Sequence, residues 1–166
     1  MDELSFENVV NAYYESLYRF ALSLARNEAD AGDLVQQTFY RWAAKGSQLR
    51  DQSKAKSWLF TTLHREFLGQ RRHEHKFPKV EISSVGDEEL TAESFSAGKR
   101  LDGASVLSAL QRLDEIYRAP LTLFYLEEHS YRDIAKILEM PIGTVMSRIS
   151  RGKELLRGFI LEKEIP

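Results

Sequence analysis

The sequence predicts an all-α fold: two small helical domains joined by a flexible acidic linker. Three observations predict it. Apolar residues recur at helical spacing on both sides of a central interval, and no stretch shows the alternation of a half-buried strand. That interval contains EISSVGDEELTAESFSAG, rich in Ser, Glu, Asp and Gly, and has no period. Charge is segregated, although the 166 residues carry a net charge of only −2. Met1–Tyr40 holds two basic residues against seven acidic ones, Arg41–Lys79 ten against three, and Val80–Phe95 five acids and no base. Such blocks imply faces with different partners. The expected boundaries are 1–76, 77–102 for the linker, and 103–166.

In chain order, Phe6–Arg26 is helical by period: Phe6, Val9, Val10, Tyr13, Leu17, Phe20, Ala21 and Leu24 share a stripe. Asn27–Gly32 reads as a turn-like break. Asp33 is placed to cap a second helix, with Leu34, Val35, Thr38, Phe39 and Trp42 inward and Gln36, Gln37, Tyr40 and Arg41 outside. Gly46–Ser53 is a polar loop. Ala55–Arg72 is a third helix, with Trp58, Leu59, Thr62, Leu63 and Phe67 inward and Lys56, Thr61, His64 and Arg65 outward. After the linker, Val106, Leu107, Leu110 and Leu113 lead into a helix around Arg118–Leu126.

The stretch SYRDIAKILEMPIGTVMSRISRGKELLR, Ser130–Arg157, predicts two helices joined by a very short turn. Ser130 caps the first, with Asp133 three residues on. Pro141 ends it, because the residue before a proline avoids the helical region. In the second helix Ile142, Val145, Ile149 and Leu156 face one way. Thr144, Ser147, Ser150 and Arg151 face the other, flanked by Arg148 and Lys153. Such a face fits the major groove, which admits a helix and offers acceptors to arginine. The same spacing also suits a plain helical hairpin with a solvated basic side.

Composition excludes several function classes. No apolar run approaches the roughly 20 residues of a membrane helix, so no membrane insertion is expected. The start, MDELSFENVV, lacks the basic residues of a signal peptide. Cysteine is absent, which removes disulfides and thiolate metal sites and points to the cytoplasm. The four histidines are scattered and no Gly-rich phosphate loop precedes a helix, so neither an enzyme nor a cofactor is expected. His73-Glu-His75 reads as solvated or phosphate-facing rather than as a metal site.

Three blocks in order carry a family resemblance: DLVQQTFYRW (Asp33–Trp42), SWLFTTLHREFL with its trailing Arg71-Arg72, and Ser130–Arg157. Together they resemble the extracytoplasmic-function sigma factors of bacterial RNA polymerase. The resemblance implies partners: core RNA polymerase, gripped at its clamp and flap, promoter DNA, and an anti-sigma factor. It implies clamp contacts at Asp33, Gln36, Gln37 and Arg41. It implies melting and reading of the downstream (−10) box by Arg50, Lys54, Lys56, Thr61, His64, Arg65, Arg71 and Arg72. It implies reading of the upstream (−35) box by Thr144, Ser147, Arg148, Ser150, Arg151 and Lys153.

The chemistry of the residues agrees. Melting needs cations for phosphate and aromatic or apolar surfaces for an unstacked base. Arg41–Lys79 interleaves its basic charge with Trp42, Trp58, Phe60 and Phe67, of which only Phe60 falls off the inward stripe. Without the resemblance, Asp33 reads as a cap and the glutamines as a solvated face. Four positions depart from the family pattern: Gln37 for Glu, Arg65 for Asn, Glu139 for Gly at the first-helix exit, and Met146 for a basic residue. Glu139 is expected to alter the turn slightly, and Met146 to remove a DNA contact. Two other classes remain: a sigma-fold mimic that titrates an anti-sigma factor, and a simple helix-turn-helix repressor or activator. The second leaves the clamp-like block unexplained.

Overall fold

The computed structural model of the chain describes residues 5–76 and 101–164. The chain divides into two units, Met1–Ser84 and Val85–Pro166. All regular elements among the described residues are helical, with no strand among them. The expected linker lies outside the described residues, except for Leu101 and Asp102, which open a helix.

The first unit is a three-helix bundle: α1 (Phe6–Ala25), α2 (Glu28–Lys45) and α3 (Ala55–Lys76). Ser5 caps α1 by accepting a hydrogen bond from the Asn8 amide at 3.2 Å. Arg26 ends it in the left-handed region, φ 66°, donating its amide to the Leu22 carbonyl at 2.9 Å. The break before α2 is shorter than expected. Asn27 is the cap, accepting from the Asp30 amide at 2.8 Å, so Asp33 sits inside the helix rather than at its start. Ala29 and Ala31 are strong helix formers and carry the chain through Gly32.

Two short 3-10 turns, Gly46–Gln48 and Gln52–Lys54, connect α2 to α3. A Cβ on Gly46 would lie 2.6 Å from the Trp42 ring, so only glycine fits against that indole. The core of the bundle is Leu17, Phe20, Leu22, Leu34, Leu59, Phe60 and Leu63. The buried stripe of α3 differs from the expected one. Phe60 and His64 are inside, whereas Trp58, Thr62 and Phe67 are half-buried. The cause is that α3 packs on both α1 and α2, which widens its covered arc and turns Phe60 and His64 toward Phe20 of α1.

The second unit comprises α4 (Leu101–Arg112), α5 (Glu115–Leu121), a π-turn (Thr122–Leu126), α6 (Tyr131–Leu138) and α7 (Ile142–Glu164). Asp114 caps α5, which therefore starts three residues before Arg118. Pro120 lies inside α5 and has no amide to donate; the chain widens into π register two residues later. Buried Arg118 donates to the Leu113 carbonyl at 2.7 Å and so fastens the α4–α5 corner. α4, α5 and α6 all pack on α7. A Cβ on Gly152 would lie 2.8 Å from Leu121 Cδ1, so this glycine lets α5 and α7 approach closely.

Candidate nucleic-acid interface

The second unit presents α7 through a helix-turn-helix. The Ser130 hydroxyl accepts from the Asp133 amide at 3.1 Å and opens α6. Ile134, Ile137 and Leu138 bury its inner face. The helix exits at Glu139 in the left-handed region, φ 54° and ψ 50°. The amides of Glu139 and Met140 bond back to the carbonyls of Lys136 and Ala135 at 3.4 and 3.0 Å. The expected change in the turn does not occur: Glu139 adopts the cap that glycine ordinarily supplies. The Pro141 carbonyl then accepts from Thr144 and Val145 and starts α7.

On α7, Val145, Ile149, Gly152 and Leu156 are buried. Ser147, Ser150 and Arg151 are exposed on the opposite face. Thr144 and Arg148 are half-buried on one flank, with Arg148 Nη1 4.0 Å from Met140 Sδ. Lys153 is on the other flank, its ammonium 5.9 Å from the Tyr125 ring centroid. The Ser147 hydroxyl donates to the Thr144 carbonyl at 3.1 Å and turns its lone pairs outward. Arg151 meets Glu154 at 3.2 Å, a pair of exposed side chains. Ile142, expected inward, is exposed at the first position of α7.

On the first unit, Thr61, Arg65 and Arg72 share one stripe of α3 at helical spacing, with Arg65 and Arg72 exposed and Thr61 half-buried. Arg50 and Lys54 are exposed in the connection before α3, and Lys56 is half-buried at its start. Arg71 lies over the Phe67 ring at 5.7 Å. His64 does not join this surface. It is buried, with its ring 6.5 Å from that of Phe20. Trp58, by contrast, is half-exposed beside Thr61 and Arg65, its ring edge-on to Trp42 at 5.3 Å. Its position three residues before Thr61 was the available signal, outweighed by the expectation that a tryptophan fills the core. Asp51 Oδ1 accepts from the Ser53 amide at 3.0 Å and from its hydroxyl at 2.6 Å. These bonds, chiefly the hydroxyl's, hold the Asp51 carboxyl below its usual range, with a smaller contribution from Lys54.

Asp33, Gln36 and Gln37 are exposed on α2, whereas Arg41 is ion-paired with Glu66 of α3. Gln36 also borders an open groove of about 570 Å³ between α1 and α2, walled by Phe6, Tyr14, Phe39 and Tyr40. Among the described residues, no three His, Asp or Glu side chains gather where a metal could sit, and no helix is long and apolar enough to cross a membrane.

Comparison with known proteins covers both units. The sigma-70 region 2 family matches residues 9–77, and the sigma-70 region 4 family matches residues 104–156. The chain is 31% identical over 160 residues to the ECF RNA polymerase sigma factor SigE of Mycolicibacterium smegmatis, covering 94% of this chain and 62% of that protein. It therefore spans less than two thirds of that relative. It is 28% identical to SigM of Bacillus subtilis, covering 94% of this chain and 95% of SigM. Among solved structures, the sigma factor RpoE in complex with the anti-sigma factor NepR from Bartonella quintana matches with a TM-score of 0.76 and 30% identity, covering 95% of this chain and 98% of that one. With both regions matched in order and nearly the whole chain aligned, the protein belongs to the extracytoplasmic-function sigma factors of the sigma-70 family.

Proposed function

We propose that the chain binds core RNA polymerase and directs it to specific promoters. The observation that carries this reading is the outward face of α7. Ser147, Ser150 and Arg151 stand opposite a buried stripe, on the helix that follows α6 and its left-handed cap. Arginine there can pair bidentately with guanine, and the serines with either a base or a phosphate. Thr144, Arg148 and Lys153 lie at the edges of this face, where they meet the phosphate backbone.

The first unit takes the downstream box in this reading. Arg50, Lys54, Lys56, Arg65, Arg71 and Arg72 supply cations, and Thr61 a hydroxyl, beside the half-exposed face of Trp58. An unstacked base can rest on such a ring. Asp33, Gln36, Gln37 and Arg41 face the polymerase clamp. The flap receives the second unit, and residues 1–76 and 103–166 act as the two promoter-reading domains on either side of linker 77–102. In this reading RNA synthesis belongs to the polymerase. The site of action is the cytoplasm, with an anti-sigma factor as the regulatory partner, as NepR is for RpoE in the matching complex.

The test is reconstitution. Core polymerase plus the full chain should support run-off transcription from a subset of promoters that core alone ignores. A mimic that only titrates an anti-sigma factor would bind that factor and give no transcript.

A further inference from the structure

Two large apolar side chains lie open at the start of α7. Ile142 is 47% exposed and Met146 is 50% exposed. They are one turn apart and so share a flank. At roughly 100° per residue, that flank adjoins Ser150 and the outward stripe and lies across the helix from Thr144 and Arg148. Neither side chain closes the core of the unit, which Val145, Ile149 and Leu156 complete on this helix. An exposed apolar pair bordering a face of hydroxyls and guanidinium groups calls for a matching apolar surface. Among the base edges in the major groove only one apolar group is offered, the C5 methyl of thymine. The unbranched, polarisable methionine side chain adapts readily to such a group.

We propose that Met146, supported by Ile142, is a specificity-determining residue that contacts the methyl group of one thymine in the upstream box. The inference rests on the reading of α7 as the recognition helix. Met146 therefore replaces a polar contact with an apolar one instead of leaving the position silent. Being uncharged, the contact adds discrimination without adding to the salt dependence, which follows phosphate neutralisation.

The experiment uses holoenzyme reconstituted from core polymerase and the full chain. Duplexes are first selected by that holoenzyme from a library randomised at the upstream box. Each thymine of the selected box is then replaced singly by deoxyuridine, which lacks only the C5 methyl. At one position the wild-type holoenzyme should bind about fourfold more weakly, the value of one buried methyl group. Met146→Ala should bind both duplexes equally, and Met146→Leu should retain most of the preference. Equal binding of thymine and deoxyuridine at every position overturns the proposal, as does a selected box without thymine. If Met146→Ala weakens holoenzyme assembly and keeps the thymine preference, the patch meets protein and the proposal fails. A holoenzyme that selects no duplex at all would instead overturn the promoter-recognition reading, and the inference with it.

Discussion

Arg41 on α2 and Glu66 on α3 form an ion pair that ties the expected clamp-contact helix to the helix expected to carry the downstream-box surface. The Arg41 side chain is 49% exposed and that of Glu66 only 18%, so solvent screens one end of the pair and not the other. The cost of losing Arg41 thus includes a carboxylate left partly desolvated.

The expected outcome for Arg41→Ala is a loss of about 0.5–1 kcal/mol in stability, within the range for screened pairs. Glu66→Gln should cost a similar amount, and the double variant less than the sum. Urea denaturation of the four proteins measures this. Additive losses would show that the pair does not couple the two helices.

His64 separates a structural role from a DNA-reading one. It is buried against Phe20, in a core that Phe60 shares. His64→Ala should cost on the order of 2–3 kcal/mol through the cavity it leaves. It should not change base preference in the downstream box at temperatures where the variant is folded. Arg65→Ala, on the exposed stripe, should do the reverse: little loss of stability and an altered downstream preference. Thermal melts together with transcription from single-base promoter variants distinguish the two roles.

The helical architecture was legible because caps and periods agree, as at Ser130 with its apolar run through Leu138. What was not legible depends on which helices meet. The period of α3 fits several rotations, and only its joint packing on α1 and α2 selects the one that buries Phe60 and His64. The Arg41–Glu66 pair joins residues on separate helices, with no local signature. Gly32-Asp33 resembles a helix boundary, but glycine inside a helix costs only about 1 kcal/mol, so α2 starts at the Asn27 cap and runs through it. Spacing alone put Met146 on a side of α7, where it is exposed, but it put Ile142 inward, and that residue is exposed too.

The left-handed cap at Glu139 stores strain that glycine would release. A side chain in that region costs about 1 kcal/mol or somewhat more, and glycine's greater freedom when unfolded returns part of it. Glu139→Gly should therefore stabilise the second unit by about 0.5–1 kcal/mol, leaving the recognition helix in place. A rise in the urea midpoint with an unchanged slope checks this. A fall in the midpoint would mean that the Glu139 side chain makes contacts worth more than the strain.

Asp51 predicts a local acid response in the connection before α3. Its carboxyl titrates below its ordinary value of 3.8 in the folded chain, because the Ser53 hydroxyl and amide bond to the charged form. A depressed folded value means the stabilisation is present above the unfolded pKa and disappears as pH falls through the lower, folded one. Protection of the Ser53 amide, measured relative to its intrinsic exchange rate, should therefore be lost as pH falls through that window. Asp51→Asn should remove this pH dependence. An Asp51 carboxyl that titrates at its ordinary value would contradict the prediction.

Arg151 and Arg148 make the sharpest contrast on α7. Arg151 is 61% exposed on the outward face, and its partner Glu154 is 70% exposed, so that pair is weak and is expected to give way to DNA. Arg148 is half-buried on the flank, close to Met140. From this geometry Arg151 is expected to read a base and Arg148 to hold a phosphate or an edge. Arg151→Ala should cost about 1–3 kcal/mol and relax the preference at one base pair of the upstream box. Arg148→Ala should weaken binding evenly across sequences and reduce the salt slope by about one. Glu154→Gln should raise affinity slightly, since it removes the competitor for Arg151. The measurement is a titration of each variant holoenzyme against single-base promoter variants at two salt concentrations. An even loss for Arg151→Ala with a changed base preference for Arg148→Ala would reverse the two roles. No effect from either would mean that α7 does not enter the groove by this face.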